Sequence, residues 1–271
     1  MSKNQNEILN PKATSNEEIY TNATALSKDL GSISEEMATA MFNQTKELMG
    51  TVVGYKELMM MYTCAIKEVR TKFDVLNTEF NVRYQRNPIS YMTTRLKRTS
   101  SIVEKLAKKD KSFTIENIEE NLNDVAGIRV VCTYIDDIYT IADALTKQDD
   151  ITLVKSKDYI ANPKPNGYRS LHLIVEVPVF FAEMTKPMRV EVQIRTMAMD
   201  FWASLEHQLK YKHEIPEQEF IVSELSECAE AISATDSKML AIRRRIENMS
   251  DAPTEDDILI EKISRLDFNI D

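Results

Sequence analysis

The sequence predicts a mixed α/β protein, of the α+β type, in which helices flank a partly antiparallel sheet. Two observations predict this class. In the middle of the chain, segments with the alternation of strands and segments with the three-to-four-residue spacing of helices follow each other. Long helical patterns lie on both sides of this region. With 271 residues, 43% hydrophobic and 28% charged, the chain can bury one main core.

The N-terminal part is predicted to be helical after a polar start. Residues 1–33 are rich in Asn, Ser, Thr and Glu without clear periodicity, which is typical of a loosely ordered leader. Ser34 can cap a helix that continues to about Tyr84, with a break expected near Gly50 or Gly54. Eight apolar residues at helical spacing predict one buried face: Leu58, Met61, Tyr62, Ala65, Val69, Phe73, Leu76 and Phe80.

Strand, helix and strand follow in the middle of the chain. The segment GIRVVCTYI, residues 127–135, alternates as a buried strand does. Asp136 is expected to cap the next helix, and a second strand begins at Ile151.

Two further strands and two helices complete the pattern. Residues 172–177 and 189–194 are predicted to pair as a hairpin across residues 178–187. Thr196 then opens a helix, and residues 219–249 form another long one. The apolar stripe of the first of these helices consists of Phe201, Trp202, Leu205 and Leu209.

These patterns divide the chain into four parts. We expect a leader at 1–33, N-terminal helices at 34–84, a central domain at 85–215 and a C-terminal helix with an acidic tail at 216–271. For the tail, around residues 254–257, the expectation is either a last short helix or a mobile segment.

Composition argues against several classes of protein. The three cysteines, Cys64, Cys132 and Cys228, are odd in number and form no CxxC, so we expect a reducing cytoplasm and neither disulfides nor a cysteine zinc site. The net charge of -9 argues against a surface that is basic throughout. The first residues lack the apolar core of a signal peptide, and no long apolar window occurs, so we expect no membrane span.

One segment, residues 83–112, is strongly basic, with nine basic residues against two acidic ones. Such a segment is usually a solvated surface. Here the five glycines of the chain form no phosphate-binding pattern, so side chains must hold any polyphosphate. The basic residues are Arg83, Arg86, Arg95, Lys97, Arg98, Lys105, Lys108, Lys109 and Lys111.

The segment VEVQIRT, residues 190–196, suggests a carboxylate site. Its alternation buries the apolar residues and aligns Glu191, Gln193 and Arg195 on the opposite face. Asp124 lies just before the first buried strand, where it can meet Glu191 at neighbouring strand ends. Two carboxylates suit Mg²⁺, which takes the rest of its ligands from water and substrate phosphate. The alternatives are that residues 190–196 form an ordinary solvated strand and that Asp124 is a turn residue.

Four segments together resemble one family: RLKRTSSIVEKL, NDVAGIRVV, KDYIANPKPNGYRSLHLIVEVPVF and VEVQIRTMAMDFWASLEHQLKYK. They are similar to the synthetase domain of the RelA/SpoT family, specifically its small alarmone synthetases, over residues 55–212. The resemblance implies a nucleotidyltransferase-like sheet. It also implies a Mg²⁺-dependent transfer of the β,γ-pyrophosphate of ATP to the 3′-hydroxyl of GDP or GTP, with (p)ppGpp as product.

The resemblance also implies roles in binding ATP and metal. Arg95 and Arg129 match the pair that sandwiches adenine, to which planar guanidinium groups are suited. Phosphate-binding lysines correspond to Lys97 and Lys105, and Arg98 is a further phosphate contact. Asp124 matches the Mg²⁺ ligand. Glu191 matches the acid that helps to hold the metal and prepares the 3′-hydroxyl, as a base or by positioning it.

For the acceptor nucleotide, the resemblance points to the loop PNGYRSLH. Tyr168 is expected to stack on guanine, with Lys164, His172 and Gln193 near the ribose or phosphates and Lys157 as a further phosphate contact. Without the resemblance, Tyr168 fits a half-buried aromatic at a strand edge and His172 a core imidazole.

Several alternatives and partners stay open. The only histidines are His172, His207 and His213, and no His-Asp pair is present, so hydrolysis of the alarmone is not expected. A toxin-like relative would modify tRNA 3′ ends or adenine nucleotides, and an inactive relative would be an RNA-binding regulator. Small family members are commonly tetramers, and (p)ppGpp as an effector and single-stranded RNA as a partner are possible. An oligomer contact or packing within the chain would equally explain five residues of the last helix: Leu225, Ala229, Ile232, Leu240 and Ile242.

Overall fold

The structure is a computed structural model that describes residues 35–211, 218–249, 258–259 and 262. The chain divides into two compact units, residues 1–57 and 58–271. In the first unit, the described residues 35–57 are helical. The expectations for the leader, for the cap at Ser34 and for the tail around residues 254–257 lie outside the described residues.

The first helix, α1, spans Glu35–Tyr84. The break expected near Gly50 or Gly54 is wrong, because the helix continues through both glycines. A glycine inside a helix costs about 1 kcal/mol relative to alanine, which good helix formers on either side can offset. In the second unit, the predicted apolar face is largely confirmed, with Met61 and Phe80 half-buried. The buried members are Leu58, Tyr62, Ala65, Val69, Phe73 and Leu76.

Five strands form one mixed sheet in the order β1-β2-β5-β4-β3, which confirms the predicted fold class. β2 and β5 are parallel, and the other neighbours are antiparallel. The strands are β1 (Ile89–Leu96), β2 (Ala126–Cys132), β3 (Thr152–Asp158), β4 (Leu171–Phe180) and β5 (Thr185–Thr196). Further helices are α2 (Thr99–Ala107), α3 (Ile115–Asn121), α4 (Ile135–Thr146), α5 (Met197–Tyr211) and α6 (Gln218–Met249). None of the described helices is long and apolar enough to cross a membrane.

β4 and β5 form the predicted hairpin, but the strands are longer and the turn shorter than expected. Pairing continues to Phe180 and Thr185, with Pro178 opposite Pro187. Both prolines are tolerated because neither β3 nor β2 pairs with the hairpin at this level, so the missing N–H groups remove no bond to an outer strand.

The start of α4 differs from the prediction that Asp136 caps it. Tyr134 is the residue before the helix, and its backbone N–H donates to the carboxylate of Asp137 at 3.2 Å. Asp137 holds this position because it stands three residues after the N-cap, where a side chain can reach back. Asp136 lies in the first turn and instead accepts hydrogen bonds from Arg243 of α6.

The start of α5 is as predicted, since the hydroxyl of Thr196 accepts a hydrogen bond from the backbone N–H of Met199. Its apolar stripe is only partly right, because α6 covers a different side of the helix. Trp202 is buried and donates its indole N–H to the carbonyl of Leu225, and Ala203 is buried beside it. Three residues of the predicted stripe stay exposed: Phe201, Leu205 and Leu209.

The long helix α6 confirms the helical prediction for residues 219–249. Leu225, Ala229 and Ile232 pack on the cluster around Trp202, so packing within the chain accounts for them. Leu240 is half-buried and Ile242 is exposed.

Candidate active site

The register of the sheet places six of the predicted site residues in two adjacent rows on one face. Paired residues, and residues two apart on a strand, share a face. In strand order β1, β2, β5, β4 and β3, the first row is Arg95, Gly127, Glu191, Ile174 and Lys155. The second row is Thr93, Arg129, Gln193, His172 and Lys157. Three cavities adjoin here, because Glu191, Gln193 and His172 each line two of them.

The first cavity, of about 230 Å³, contains the two arginines predicted for adenine. Arg95 and Arg129 both line it, together with Gly127. A Cβ atom on Gly127 would lie 3.4 Å from Cγ and Nε of Arg95, so the arginine lies against the backbone of β2. Arg129 is held by Asp200, with 3.1 Å between Nη1 and Oδ1. Burial, followed by the nearby charge of Arg195, lowers the pKa of Arg129 below its ordinary value.

The second cavity, of about 320 Å³, is strongly basic. It also contains both predicted carboxylates, Asp124 and Glu191. Its lysines are Lys105, Lys109, Lys155, Lys157 and Lys164. The sequence does not predict three of the lining residues, Lys109, Lys155 and Tyr159, as part of the site, although Lys155 stands two residues from Lys157 and so shares its face. A cavity with this excess of ammonium groups favours a polyphosphate.

Asp124 lies two residues before β2 and is held by two lysines. Its Oδ2 accepts hydrogen bonds from Lys97 at 2.8 Å and from Lys105 at 2.7 Å. Burial raises the pKa of this carboxyl, but the ammonium groups of Lys105 and Lys97 together outweigh burial and bring the pKa below its ordinary value. Its Oδ1 is buried and has no hydrogen-bond partner among the described residues. One oxygen of Asp124 is therefore held by two lysines and the other is unpartnered among the described residues.

Glu191 lies at the junction of the first two cavities and is 15% exposed. Its Oε2 accepts a hydrogen bond from Nε2 of Gln193 at 2.9 Å, and Nη2 of Arg95 lies 3.6 Å from the same oxygen. Nδ1 of His172 lies 3.7 Å from its Oε1. Gln193 thus holds one carboxylate oxygen by a hydrogen bond, and His172 lies near the other.

These two carboxylates can be tested as ligands for Mg²⁺. Within residues 35–211 and 218–249, no three or more His, Cys, Asp or Glu side chains are grouped to hold a metal ion. Mg²⁺ needs fewer, since it usually keeps several waters and takes one or two carboxylates plus substrate phosphates. Asp124 and Glu191 line the same cavity, and Oδ1 of Asp124 has no hydrogen-bond partner among the described residues, so the donor set fits this ion.

The third cavity, of about 550 Å³, contains the predicted acceptor residues Tyr168, Lys164, His172 and Gln193. A tight turn shapes it: the N–H of Gly167 donates to the carbonyl of Lys164, and the N–H of Lys164 donates to the carbonyl of Tyr168. Nζ of Lys164 lies 4.7 Å from the centre of the Tyr168 ring. We call residues 162–170 the acceptor loop.

His172 is neutral in this setting. Burial comes first among the causes, followed by the charges of Arg195 and Lys164, and together they lower the pKa of His172 to about 3. Its Nε2 lies 2.8 Å from the hydroxyl of Tyr168. His172 is therefore a hydrogen-bonding group and not a cation.

Sequence reasoning missed a buried ion pair at the end of β5 on this face. Arg195 was expected on the same face as Glu191, but it is only 4% exposed and pairs with Asp200 at 3.1 Å. Asp200 also binds Arg129 and accepts a hydrogen bond from Tyr91. The alternation of polar residues along β5 could have indicated that Arg195 belongs to the site, because it continues to this residue just before helix α5 begins.

Apart from Lys97, Arg98 is the predicted site residue that lies outside both the rows and the three cavity linings. It is the exposed N-cap of α2 and is not among the side chains that line these three cavities.

Comparisons with known proteins agree with this geometry. A family model described as a region found in RelA / SpoT proteins matches residues 94–216. The chain is 42% identical over 195 residues to the GTP pyrophosphokinase YwaC of Bacillus subtilis (strain 168), and the match covers 71% of this chain and 92% of that protein.

Two crystal structures of small alarmone synthetase 1 from Bacillus subtilis are also similar. The structure bound to its product pppGpp is 36% identical, with a TM-score of 0.65, and the match covers 72% of this chain and 98% of that chain. The structure bound to AMPCPP is 31% identical, with a TM-score of 0.60 and the same coverage. The chain therefore belongs to the RelA/SpoT family.

Proposed function

We propose that this protein is a GTP pyrophosphokinase that transfers the β,γ-pyrophosphate of ATP to the 3′-hydroxyl of GDP or GTP, producing (p)ppGpp and AMP. The observation that carries this proposal is the order of groups along one sheet face. An arginine-lined cavity, a lysine-rich cavity with two carboxylates, and a cavity at the aromatic acceptor loop adjoin each other, because Glu191, Gln193 and His172 each line two of them. The names and ligands of the relatives agree with it.

The first two cavities suit ATP. Arg95 and Arg129 present planar guanidinium groups for an adenine ring, and Asp200 keeps Arg129 in place. Lys105 is 40% exposed at the basic cavity and is our main candidate for the triphosphate. Lys97 is more buried, at 17%, so we assign it chiefly to holding Asp124 beside the phosphates. We assign the exposed Arg98 an outer phosphate contact.

Asp124 and Glu191 would hold Mg²⁺, which when bound neutralises phosphate charge and polarises the phosphoryl group. The chain contributes the electrostatic setting for this ion. The lysines of the second cavity lower the cost of bringing a polyphosphate against two carboxylates.

The third cavity suits the guanine nucleotide. Tyr168 offers a ring for stacking on guanine, and Lys164 and Lys157 can reach its phosphates. Gln193 and His172 line the space between this loop and Glu191, which places them near the ribose.

Glu191 then orients the 3′-hydroxyl and accepts its proton as the bond forms. The new bond joins the 3′-oxygen to the β-phosphorus, the bond from this phosphorus to the α–β bridging oxygen breaks, and AMP leaves. Such transfer depends mainly on positioning and on charge neutralisation. The hydrogen bond from Gln193 keeps one oxygen of Glu191 in place.

A substrate panel tests the proposal. The full chain is incubated with ATP labelled in the β and γ phosphates and, separately, with GDP, GTP, AMP or deacylated tRNA. We expect labelled guanine nucleotides and an equal amount of AMP, with activity lost in EDTA and restored by Mg²⁺. Label on AMP or tRNA without label on GDP or GTP would contradict the proposal.

We also propose a cytoplasmic homo-oligomer, most simply a tetramer. The exposed Phe201, Leu205 and Leu209 of α5 support an apolar contact between copies. The free thiols Cys64, Cys132 and Cys228 are compatible with a reducing compartment. Light scattering on the purified chain tests the assembly, and a monomer at micromolar concentration would exclude it.

A further inference from the structure

We propose that Arg195 is a positioning residue that fixes the amide orientation of Gln193 and the tautomer of His172, and that it thereby directs one donor toward each oxygen of Glu191. The catalytic consequence rests on the proposed function. The hydrogen-bond arrangement itself does not, and it can be measured separately.

Arg195 is built into the protein below the acceptor site. Its Nη1 pairs with Asp200 at 3.1 Å, and its Nε lies 3.4 Å from the hydroxyl of Ser170. The remaining nitrogen, Nη2, donates to the hydroxyl of Tyr168 at 2.6 Å and to Oε1 of Gln193 at 3.0 Å. A guanidinium group has donors only, so every atom that faces it must accept. Because Arg195 can only donate, it sets the donor-to-acceptor direction of two chains of hydrogen bonds.

The first chain runs through Gln193. Because Arg195 only donates, the amide oxygen of Gln193 faces Arg195 and the amide nitrogen faces Oε2 of Glu191. The reverse orientation would set an NH₂ group against the guanidinium and an oxygen against the carboxylate, which removes both hydrogen bonds. Arg195 thus keeps a donor directed at Glu191.

The second chain runs through Tyr168 and His172. The hydroxyl of Tyr168 accepts from Arg195, so its own hydrogen points to Nε2 of His172. The neutral ring must then carry its hydrogen on Nδ1, the nitrogen that lies 3.7 Å from Oε1 of Glu191. The second oxygen of Glu191 therefore also faces a donor.

Ring-nitrogen NMR of histidine tests the second chain directly. The full chain contains three histidines, so ¹⁵N-histidine labelling gives few signals, and a His172→Gln variant assigns the relevant one. We expect His172 in the Nδ1–H form in the unaltered protein. In Arg195→Gln and in Tyr168→Phe we expect a shift toward the Nε2–H form that free histidine favours. Arg70→Gln is the matched control, since Arg70 forms a surface pair with Asp74 and should leave the tautomer unchanged.

Kinetics test the consequence for Glu191. For Arg195→Gln we expect kcat to fall roughly 10- to 100-fold, with a smaller change in KM for ATP. An Asp200→Asn variant keeps the guanidinium and its one-way donation, so it should retain the Nδ1–H form. If Arg195 acted only by pairing with Asp200, Arg195→Gln and Asp200→Asn would instead have the same effect on the tautomer of His172.

The outcomes separate this inference from the proposed function. An Nε2–H form in the unaltered protein, or an unchanged tautomer in the folded Tyr168→Phe variant, would overturn the role of Arg195. Unchanged kcat in folded Arg195→Gln would also overturn it. An unaltered protein that labels no guanine nucleotide would instead overturn the proposed function, whatever the tautomer of His172.

Discussion

Replacing Gly167 with alanine should loosen the acceptor loop and weaken binding of the guanine nucleotide. Gly167 has φ of +85°, a region that costs a residue with a Cβ about 1–2 kcal/mol. The new Cβ would also lie 2.4 Å from Cβ of Ala229 and 3.2 Å from Cα of Ser226 on α6. Overpacking of this kind costs about 1–3 kcal/mol. The two effects together give about 2–5 kcal/mol, a large share of a typical domain's stability.

The consequence for function follows from the neighbours of Gly167. Tyr168 is the next residue, and the turn joins its carbonyl to the N–H of Lys164. Arg169 ties the same loop to α6 through Glu230 at 2.7 Å. A loop displaced from α6 carries the stacking ring and its lysine with it, so we expect KM for GDP to rise and KM for ATP to change little.

Two further variants separate the cost of backbone strain at Gly167 from the cost of the steric clash with Ala229. Gly50→Ala is the matched control, because a Cβ there meets nothing within 4 Å and an alanine in a helix should stabilise by about 0.5–1 kcal/mol. Adding Ala229→Gly to Gly167→Ala removes the closest contact and leaves the backbone strain, so it should restore part of the loss. Urea unfolding and steady-state kinetics measure both effects. Unaltered stability with unaltered KM for GDP in Gly167→Ala would refute this view of the loop.

Three other predictions test the site. Glu191→Gln should lower kcat by roughly 10²- to 10⁴-fold with an unchanged circular dichroism spectrum, and near-normal turnover would contradict its role. Tyr168→Ala should raise KM for GDP roughly 5- to 150-fold, the loss of about 1–3 kcal/mol of stacking, and an unchanged GDP titration would exclude stacking. Because the pKa of Asp124 is lowered in the folded protein, its carboxylate contributes folding stability that is present above pH 3.8 and is lost as the pH falls through the lowered pKa. Urea unfolding should therefore give Asp124→Asn a lower free energy of unfolding than the unaltered protein at pH 7, and this difference should shrink as the pH falls. A difference that does not depend on pH would exclude the stabilising role of the Asp124 carboxylate.

Much of this arrangement could be predicted from the alternation of β5. Val190, Val192 and Ile194 are fully buried, as expected, and Glu191 and Gln193 share the opposite face. An alternating pattern reports which side of a strand is apolar, but it does not report what covers the other side. Arg195 continues the polar face and is nevertheless buried, because Tyr168 and Asp200 cover it.

The same limit explains the exposed residues of α5. Phe201, Leu205 and Leu209 fit an apolar stripe by spacing, yet α6 packs against the side of Trp202. Which side a neighbouring helix covers depends on the path of the chain between them, and periodicity within one helix contains no information on that path.

The site depends on register more than on any one motif, and Gly127 shows why. Arg95 on β1 and Glu191 on β5 are separated by the whole of β2, yet Nη2 of Arg95 lies 3.6 Å from the carboxylate. The arginine can cross because the residue between them in the row is a glycine, whose missing side chain leaves the backbone open beneath Cγ and Nε. A shift of β2 by one residue would place Ala126 or Ile128 there and turn the paired side chains to the other face. The contact between the arginine-lined cavity and the carboxylate therefore requires both the register and the glycine.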